Sequence, residues 1–378
     1  MCAYTFTMTW NAGEPFNDLP DLPPAKDVES KRVLKLVAEA RAALAGLDQA
    51  AQRIPNPTVL LNAIPLLEAQ ASSEIENIVT TADELFAAEN FGADSARPEA
   101  KEALRYRQAL FEGVESVRRR PLSTQTLIDV CSTIHGRDMR VRDLPGTFVG
   151  NPVTKAAIYT PPEGQALLHE RLGEMTRFLH TAQSFDPLVA MALTHYQFEA
   201  IHPFADGNGR TGRIANILVL VERGLLREPV LYMSRFIIQN KAEYYRLLLA
   251  VTAEQAWEDW TSFMLDAVRE TALSTIEKID DIQTVHREMQ GELRSILPSR
   301  ANADLLDVLF EQPYCRISTV MDRCGVSRPT ATKWLRLLSD ANILLALRVG
   351  KHMLFVNHRF FDLLTRAERA PATAPTLF

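Results

Sequence analysis

Residues 202 to 213 read His202-Pro203-Phe204-Ala205-Asp206-Gly207-Asn208-Gly209-Arg210-Thr211-Gly212-Arg213. An imidazole, a carboxylate, a Gly-Asn-Gly turn and a pair of guanidinium groups so close together suit a site that holds a polyphosphate and removes a proton beside it. Gly207, Asn208 and Gly209, just ahead of a helix starting near Arg210, can turn consecutive backbone N–H groups inward as an anion nest. The helix adds its unpaired N–H groups and dipole at the same point. Glycine here permits positive φ and lets phosphate oxygens approach the backbone. Arg210 and Arg213 are one helical turn apart, so both reach the same phosphates, with Thr211 between them counted in the phosphate-binding set. Asp206 borders the nest as a hard oxygen ligand for Mg2+ bridging two phosphates. His202, with an ordinary pKa of about 6.5, suits general-base work at neutral pH. The chemistry is phosphoryl or nucleotidyl transfer, in which positioning and electrostatics dominate.

The elements that must position these groups are almost all helical. Asp27 or Ser30 caps a helix carrying Val33, Leu34, Leu36, Val37, Ala40, Ala43 and Leu44 at helical spacing. A second helical segment spans 58–80, bent at Pro65, and further segments span 100–117 and 123–135. Residues 142–162 differ: Pro145-Gly146, a β-branched run and Pro161-Pro162 predict a loop with a short hairpin. A helix over 187–200 ends just before His202. The helix over 210–223 buries Ile214, Ile217, Leu218 and Val221 and stops at Gly224.

Residues 257–297 are helical and increasingly charged, as in a connecting stalk. Beyond them, a helix over 317–322, a Gly325-Val326 turn and a second helix capped by Ser327 form a helix-turn-helix pattern. Two β segments, 343–347 and 353–356, follow as a wing. Arg328, Thr332, Lys333 and Arg336 on the second helix, with Arg348 and Lys351 on the wing, fit phosphate contact and groove reading on DNA. The same fold also serves protein contact and dimerisation.

The whole chain has 378 residues and a net charge of −6, so nothing global points to nucleic acid. Cys2, Cys131, Cys315 and Cys324 are scattered without metal-binding spacing, as expected in a reducing compartment. The N-terminus lacks the pattern of a signal peptide, and the apolar runs fall short of a membrane span. A soluble cytoplasmic protein with no membrane partner is expected.

The string from His202 to Arg213 resembles the signature of the Fic family, His-x-Phe-x-Asp/Glu-Gly-Asn-Gly-Arg-x-x-Arg, at every specified position. The resemblance implies an all-helical core that transfers AMP from ATP to a Tyr, Ser or Thr hydroxyl of a target protein, releasing pyrophosphate. His202 would deprotonate the hydroxyl and Asp206 would hold Mg2+. Gly207 to Gly209 with Arg210 would bind the α- and β-phosphates, and Arg213 the γ-phosphate. Members that act as kinases carry lysine where Gly209 stands, so this chain sides with the adenylyltransferases.

Upstream, Ser72 and Glu76 share a helical face, and a carboxylate there can pair with an arginine of the phosphate site. Ser72-x-x-x-Glu76-Asn77 resembles the inhibitory motif of some Fic proteins, which implies that Glu76 binds Arg213 and restrains the enzyme. The hairpin resembles the family's target-docking flap, placed at 153–159 with Val153, Ala156, Ala157, Ile158 and Tyr159. It departs from relatives in having Thr147 after Pro145-Gly146. Ser234, Asn240, Tyr244 and Tyr245 resemble positions behind the nucleotide, with either tyrosine open to stack on adenine. A homodimer is a further implication.

The expected architecture is mainly α, with a short β-hairpin flap and a C-terminal winged helix-turn-helix. The units are an inhibitory region (1–100), a catalytic core (101–255), a helical linker (256–297), the winged domain (298–365) and a disordered tail (366–378). A nucleotide-sensing, DNA-binding regulator and removal of AMP at the same site are the alternative functions.

Overall fold

The computed structural model describes residues 10–54, 56, 58–91, 97–150, 154, 156–182, 184–297, 302–349 and 352–366. Helix α1 (Lys31–Gln52) starts where the Ser30 hydroxyl accepts a hydrogen bond from the Val33 N–H at 3.3 Å, a standard N-cap. It buries Val33, Val37, Ala40, Leu44 and Leu47 along one face. Helix α2 (Thr58–Ile75) keeps Pro65 inside it. The expected helix to residue 80 ends at Ile75, because Asn77 adopts a left-handed φ of 65° and turns the chain. A separate helix, α3 (Ala82–Phe91), follows.

Helices α4 (Pro98–Val117) and α5 (Thr124–His135) pack together, and a reciprocal Ser123–Thr126 capping box starts α5. Strands β1 (Val149–Gly150) and β2 (Ala157–Tyr159) form the expected hairpin, pairing Val149 with Tyr159. Its first strand lies ahead of the expected 153–159 span. Next come α6 (Gln165–Thr181), α7 (Pro187–Ile201), α8 (Asn208–Glu222), α9 (Met233–Gln239) and α10 (Lys241–Glu254). Asp186 caps α7 by accepting from the Leu188 N–H at 2.9 Å, and Pro187 occupies its first turn. Helices α7 and α8 are buried nearly all round, so they form the centre of the body.

Helix α11 (Trp257–Ile296) is 40 residues long, about 60 Å. Its first half is no linker. Trp257, Trp260, Met264, Leu265 and Val268 are buried in the core, and the Trp260 indole donates to the Ala192 carbonyl at 2.8 Å. Most of its charges face outward, buried Lys278 apart, while an apolar stripe lies along α1 and α7, a division that a charge tally averages away.

The C-terminal unit contains α12 (Asn302–Glu311), β3 (Tyr314–Arg316), α13 (Ile317–Cys324), α14 (Arg328–Asp340), β4 (Leu345–Val349), β5 (His352–Val356) and α15 (His358–Thr365). Its antiparallel sheet has the order β3-β5-β4, so β3 is a strand the alternation did not predict. Gly325, at φ 63°, ends α13. Ser327 stands at the start of α14, but its hydroxyl meets the Thr330 hydroxyl at 3.0 Å instead of a backbone N–H. Arg328, Thr332, Lys333 and Arg336 line one surface groove with Asp340. Lys351 and Val153 lie outside the described residues.

The molecule is mainly helical, with two small antiparallel sheets among the described residues, as expected. Apolar packing is continuous from the helical body into the C-terminal unit. Among the described residues, no helix is long and apolar enough to cross a membrane.

Candidate active site

Helix α7 ends at His202, which takes the left-handed conformation (φ 49°, ψ 59°) and throws the chain into the loop. Arg142 pins that reversal. Its backbone N–H donates to Pro203 O at 2.9 Å, and its guanidinium donates to the carbonyls of His202 (2.8 Å), Pro162 (2.5 Å) and Ile201 (3.3 Å). The Tyr159 hydroxyl donates to the Ala200 carbonyl at 2.8 Å, tying the hairpin to the same helix end. Inside the loop, Asn208 accepts from the Phe204 N–H at 2.8 Å and donates to the Phe204 carbonyl at 2.7 Å. Its side chain therefore closes the loop, and Asn208 lines the cavity. Gly207 sits at φ 82°, where a Cβ would lie 2.6 Å from His135 Nε2, so only glycine fits.

His202 lines the cavity and is half-buried. Burial, assisted by the charge of Arg142, pushes its pKa down to about 4, against the pull of the Glu199 backbone carbonyl. The ring is therefore neutral at pH 7 and able to accept a proton. Asp206 is exposed on the same wall, with Oδ1 accepting from the Gly207 N–H at 2.7 Å. Among the described residues, no three His, Cys, Asp or Glu side chains gather into a metal cage. A cation on Asp206 would complete its shell with phosphate and water oxygens, which is how Mg2+ is commonly held. The donor set fits that ion.

The two arginines are buried, with side-chain exposures of 1% for Arg210 and 2% for Arg213. Glu76 places one carboxylate oxygen on each. Oε2 accepts from Arg210 Nε at 2.8 Å, and Oε1 accepts from Arg213 Nη2 at 2.8 Å. Arg213 also donates to the hydroxyl and the carbonyl of Ser72, at 2.7 and 2.8 Å. Arg210 further meets Glu102 and, at 3.5 Å, Asp206. Burial works against the charge of Arg213, and Glu76 together with Tyr244, Tyr106 and Glu199 more than restores it. Gly209 makes the seat possible: a Cβ there would stand 2.5 Å from Glu76 Oε1 and 2.8 Å from Arg213 Nη1. Asn77 turns the chain away and accepts from Lys241 Nζ at 3.3 Å.

These groups surround a cavity of about 310 Å3, which also has Ile158 and Tyr159 of the hairpin on its wall. Ile158 is exposed there, and Ala156 and Ala157 precede it in the hairpin. Two expected contacts are not brought to the cavity. Thr211 is fully buried and Asn240 spends its amide on the Phe236 carbonyl at 2.9 Å; neither lines the cavity. Tyr244 reaches the wall but is 1% exposed, its hydroxyl 2.8 Å from His195 Nε2. Tyr245 is the open ring, 44% exposed. The spacing of the two tyrosines leaves their assignment open; the rotation of α10 decides it.

Several functional neighbours went unanticipated. Glu102 and Arg142 lie far away in sequence from the groups they hold, so no local pattern marks them. Glu68 is buried on α2, accepting from the Ser234 N–H at 2.9 Å and the Tyr106 hydroxyl at 3.2 Å. Glu199 lines the cavity one turn ahead of His202, a spacing visible in the sequence. Burial pushes its pKa up to about 7, opposed by Arg213, and its Oε1 has no hydrogen-bond partner among the described residues.

Comparison with known proteins agrees with this geometry. The Fic/DOC family N-terminal profile matches residues 34–115, and the Fic/DOC family profile matches 121–220. The profile of the protein adenylyltransferase SoFic-like C-terminal domain matches 267–360. The chain thus carries a Fic/DOC family domain, preceded by the family's N-terminal region. It is 34% identical to protein adenylyltransferase fic-1 of Caenorhabditis briggsae over 92 residues, 24% of this chain and 17% of that protein. It is 35% identical to protein adenylyltransferase Fic of Drosophila ananassae over 104 residues, 27% of this chain and 20% of that protein. The match thus spans about a fifth or less of these relatives' length. A Fic family protein from Desulfovibrio desulfuricans G20 shares the fold, with TM-score 0.56, 21% identity and coverage of 89% of this chain and 98% of that one.

Proposed function

We propose that this chain is a protein adenylyltransferase held shut by Glu76. The observation that supports this most is the single carboxylate laid across both buried arginines of the phosphate loop. A carboxylate there occupies the donors a triphosphate needs and repels its terminal charge. When the segment withdraws, Arg210, Arg213 and the loop N–H groups hold the phosphates. Asp206 would hold Mg2+, which would supply charge neutralisation at the phosphates. His202 takes the proton of a target Tyr, Ser or Thr hydroxyl as its oxygen bonds the α-phosphorus. The bond from that phosphorus to the bridging oxygen breaks, and pyrophosphate leaves with the electron pair. The exposed hairpin, with Ile158 on the cavity wall, receives the target as an added strand.

The test is incorporation of α-labelled ATP with Mg2+ by the full chain. Glu76→Gly raises self-labelling by about 10- to 100-fold. Adding His202→Ala to that variant lowers it by about 100- to 10,000-fold. Equal labelling by wild type and Glu76→Gly would overturn the reading. The groove on α14 lined by Arg328, Thr332, Lys333 and Arg336 favours a second role, DNA contact by a winged helix. Salt-dependent gel shifts lost on Arg336→Ala test it.

A further inference from the structure

Glu76 sits in a short connection whose two ends are held very differently. On its N-terminal side, α2 is fixed in the body by Ser72 on Arg213 and by Glu68 on Ser234. On its C-terminal side the chain runs five residues to Thr81, where α3 begins. That start is well made: Glu84 accepts from the Thr80 hydroxyl and the Thr81 N–H, both at 3.0 Å, and the Glu84 N–H donates to the Thr81 hydroxyl at 3.1 Å. Gln70 donates to the Thr80 carbonyl at 2.9 Å, folding the connection back along α2. The Glu76 and Ile78 N–H groups donate to the Ser73 carbonyl, both at 3.0 Å, so residues 76–78 close the end of α2, and the position of α3 fixes the far end of the connection that keeps this turn wound.

The C-terminal unit grips α3. The Tyr314 hydroxyl of β3 donates to the Asp83 carboxylate. Phe86 lies in an aromatic cluster with Tyr314 (ring centroids 6.5 Å apart) and Phe361 of α15 (6.2 Å), which are 5.9 Å from each other. Asn62 of α2 donates to the Glu311 carbonyl at the end of α12, at 3.0 Å. The unit is itself anchored to α11, where Lys278 donates to the last carbonyls of α15 and Arg359 pairs with Glu292 at 2.9 Å. Buried aromatic contacts of this kind hold elements together more firmly than exposed ion pairs.

We infer that the C-terminal unit is part of the lock on the active site: through Tyr314 and Phe361 it holds α3, and through α3 it keeps Glu76 seated on Arg210 and Arg213. The inference rests on the proposed inhibitory role of Glu76 and adds the element that enforces it. It couples the surface at the far end of the chain to nucleotide access, so a ligand that shifts β3 or α15 raises the activity.

The test measures self-labelling from α-labelled ATP and hydrogen exchange of amides 76–81, both in the full chain. Tyr314→Phe keeps the ring and removes one hydrogen bond; it raises labelling a few-fold, roughly 2- to 5-fold. Phe361→Ala opens the cluster, raises labelling about ten-fold and speeds exchange at 76–81. In the Glu76→Gly background neither change raises labelling further. Wild-type labelling and exchange in both variants, with Glu76→Gly active, would overturn the inference alone. So would a rise that persists undiminished in the Glu76→Gly background. A Glu76→Gly variant no more active than wild type would instead overturn the function proposed above.

Discussion

The phosphate loop and the segment that closes it meet at two arginines but are built on opposite principles. The loop is determined from within. Asn208 satisfies both backbone groups of Phe204, and Arg142 and Tyr159 occupy carbonyls where α7 ends. It has its shape before any ligand arrives, as electrostatic catalysis requires. The closing segment is a single turn at the end of α2, with the Glu76 and Ile78 N–H groups on the Ser73 carbonyl at 3.0 Å. It is held by the arginines it blocks, by Ser72 and by the elements beyond it. A structure fixed internally survives loss of its neighbour. One fixed by its neighbours can be released without damage to the site.

That contrast can be broken at its strong end. Asn208→Ala leaves a buried N–H and a buried carbonyl of Phe204 unpaired, and lowers unfolding free energy by about 2–4 kcal/mol. Denaturant melts measure the loss, and labelling disappears even in the Glu76→Gly background. A variant that keeps wild-type stability would show that the loop is held from elsewhere.

A smaller effect sharpens the electrostatics between the two regions. Glu199 has a folded-state pKa raised to about 7, so between the ordinary carboxylate range and pH 7 the native state keeps a proton that the unfolded chain releases. Its contribution is fully present at low pH and is lost as pH rises through 7. Glu199→Gln therefore gains on wild type by about 2 kcal/mol between pH 5 and pH 8, read as a growing difference in Tm. A difference independent of pH would mean that Glu199 does not titrate there.

The smallest change loosens the closure alone. Ser72→Ala removes one acceptor from Arg213, costs about 1 kcal/mol of stability and raises labelling two- to five-fold. Loss of labelling would place Ser72 in the working site instead of the restraint.

The parts that were legible in the sequence are those in which function lies along the chain. His202 and Asp206 and the glycines and arginines near them sit within three turns' length, so spacing alone placed them around one anion. Glu76 came through its likeness to a family motif, which supplied Arg213 as its partner. Its second partner, Arg210, depends on how α2 crosses α8, and helical spacing carries no record of a crossing. The same holds for Glu102, and for Tyr244 and Tyr245, where the rotation of α10 selects the exposed ring. Asn208 has a second part that spacing does not show: its amide closes the loop on the backbone of Phe204. The charge-rich stretch over 257–297 concealed a core helix, because a long helix carries water-facing and buried residues in the same count.

Gly209 carries one last implication. The space left by its missing Cβ is the seat of the Glu76 carboxylate, and in the proposed function it is also where phosphate oxygens approach the loop. Restraint and substrate recognition thus draw on one vacancy and cannot drift apart by mutation at this position. On the proposed function, a descendant that acquired any side chain here would discard its built-in brake in the same event that reshaped its phosphate chemistry. Its first generation would be unregulated, with new control to be found elsewhere in the chain or in another protein.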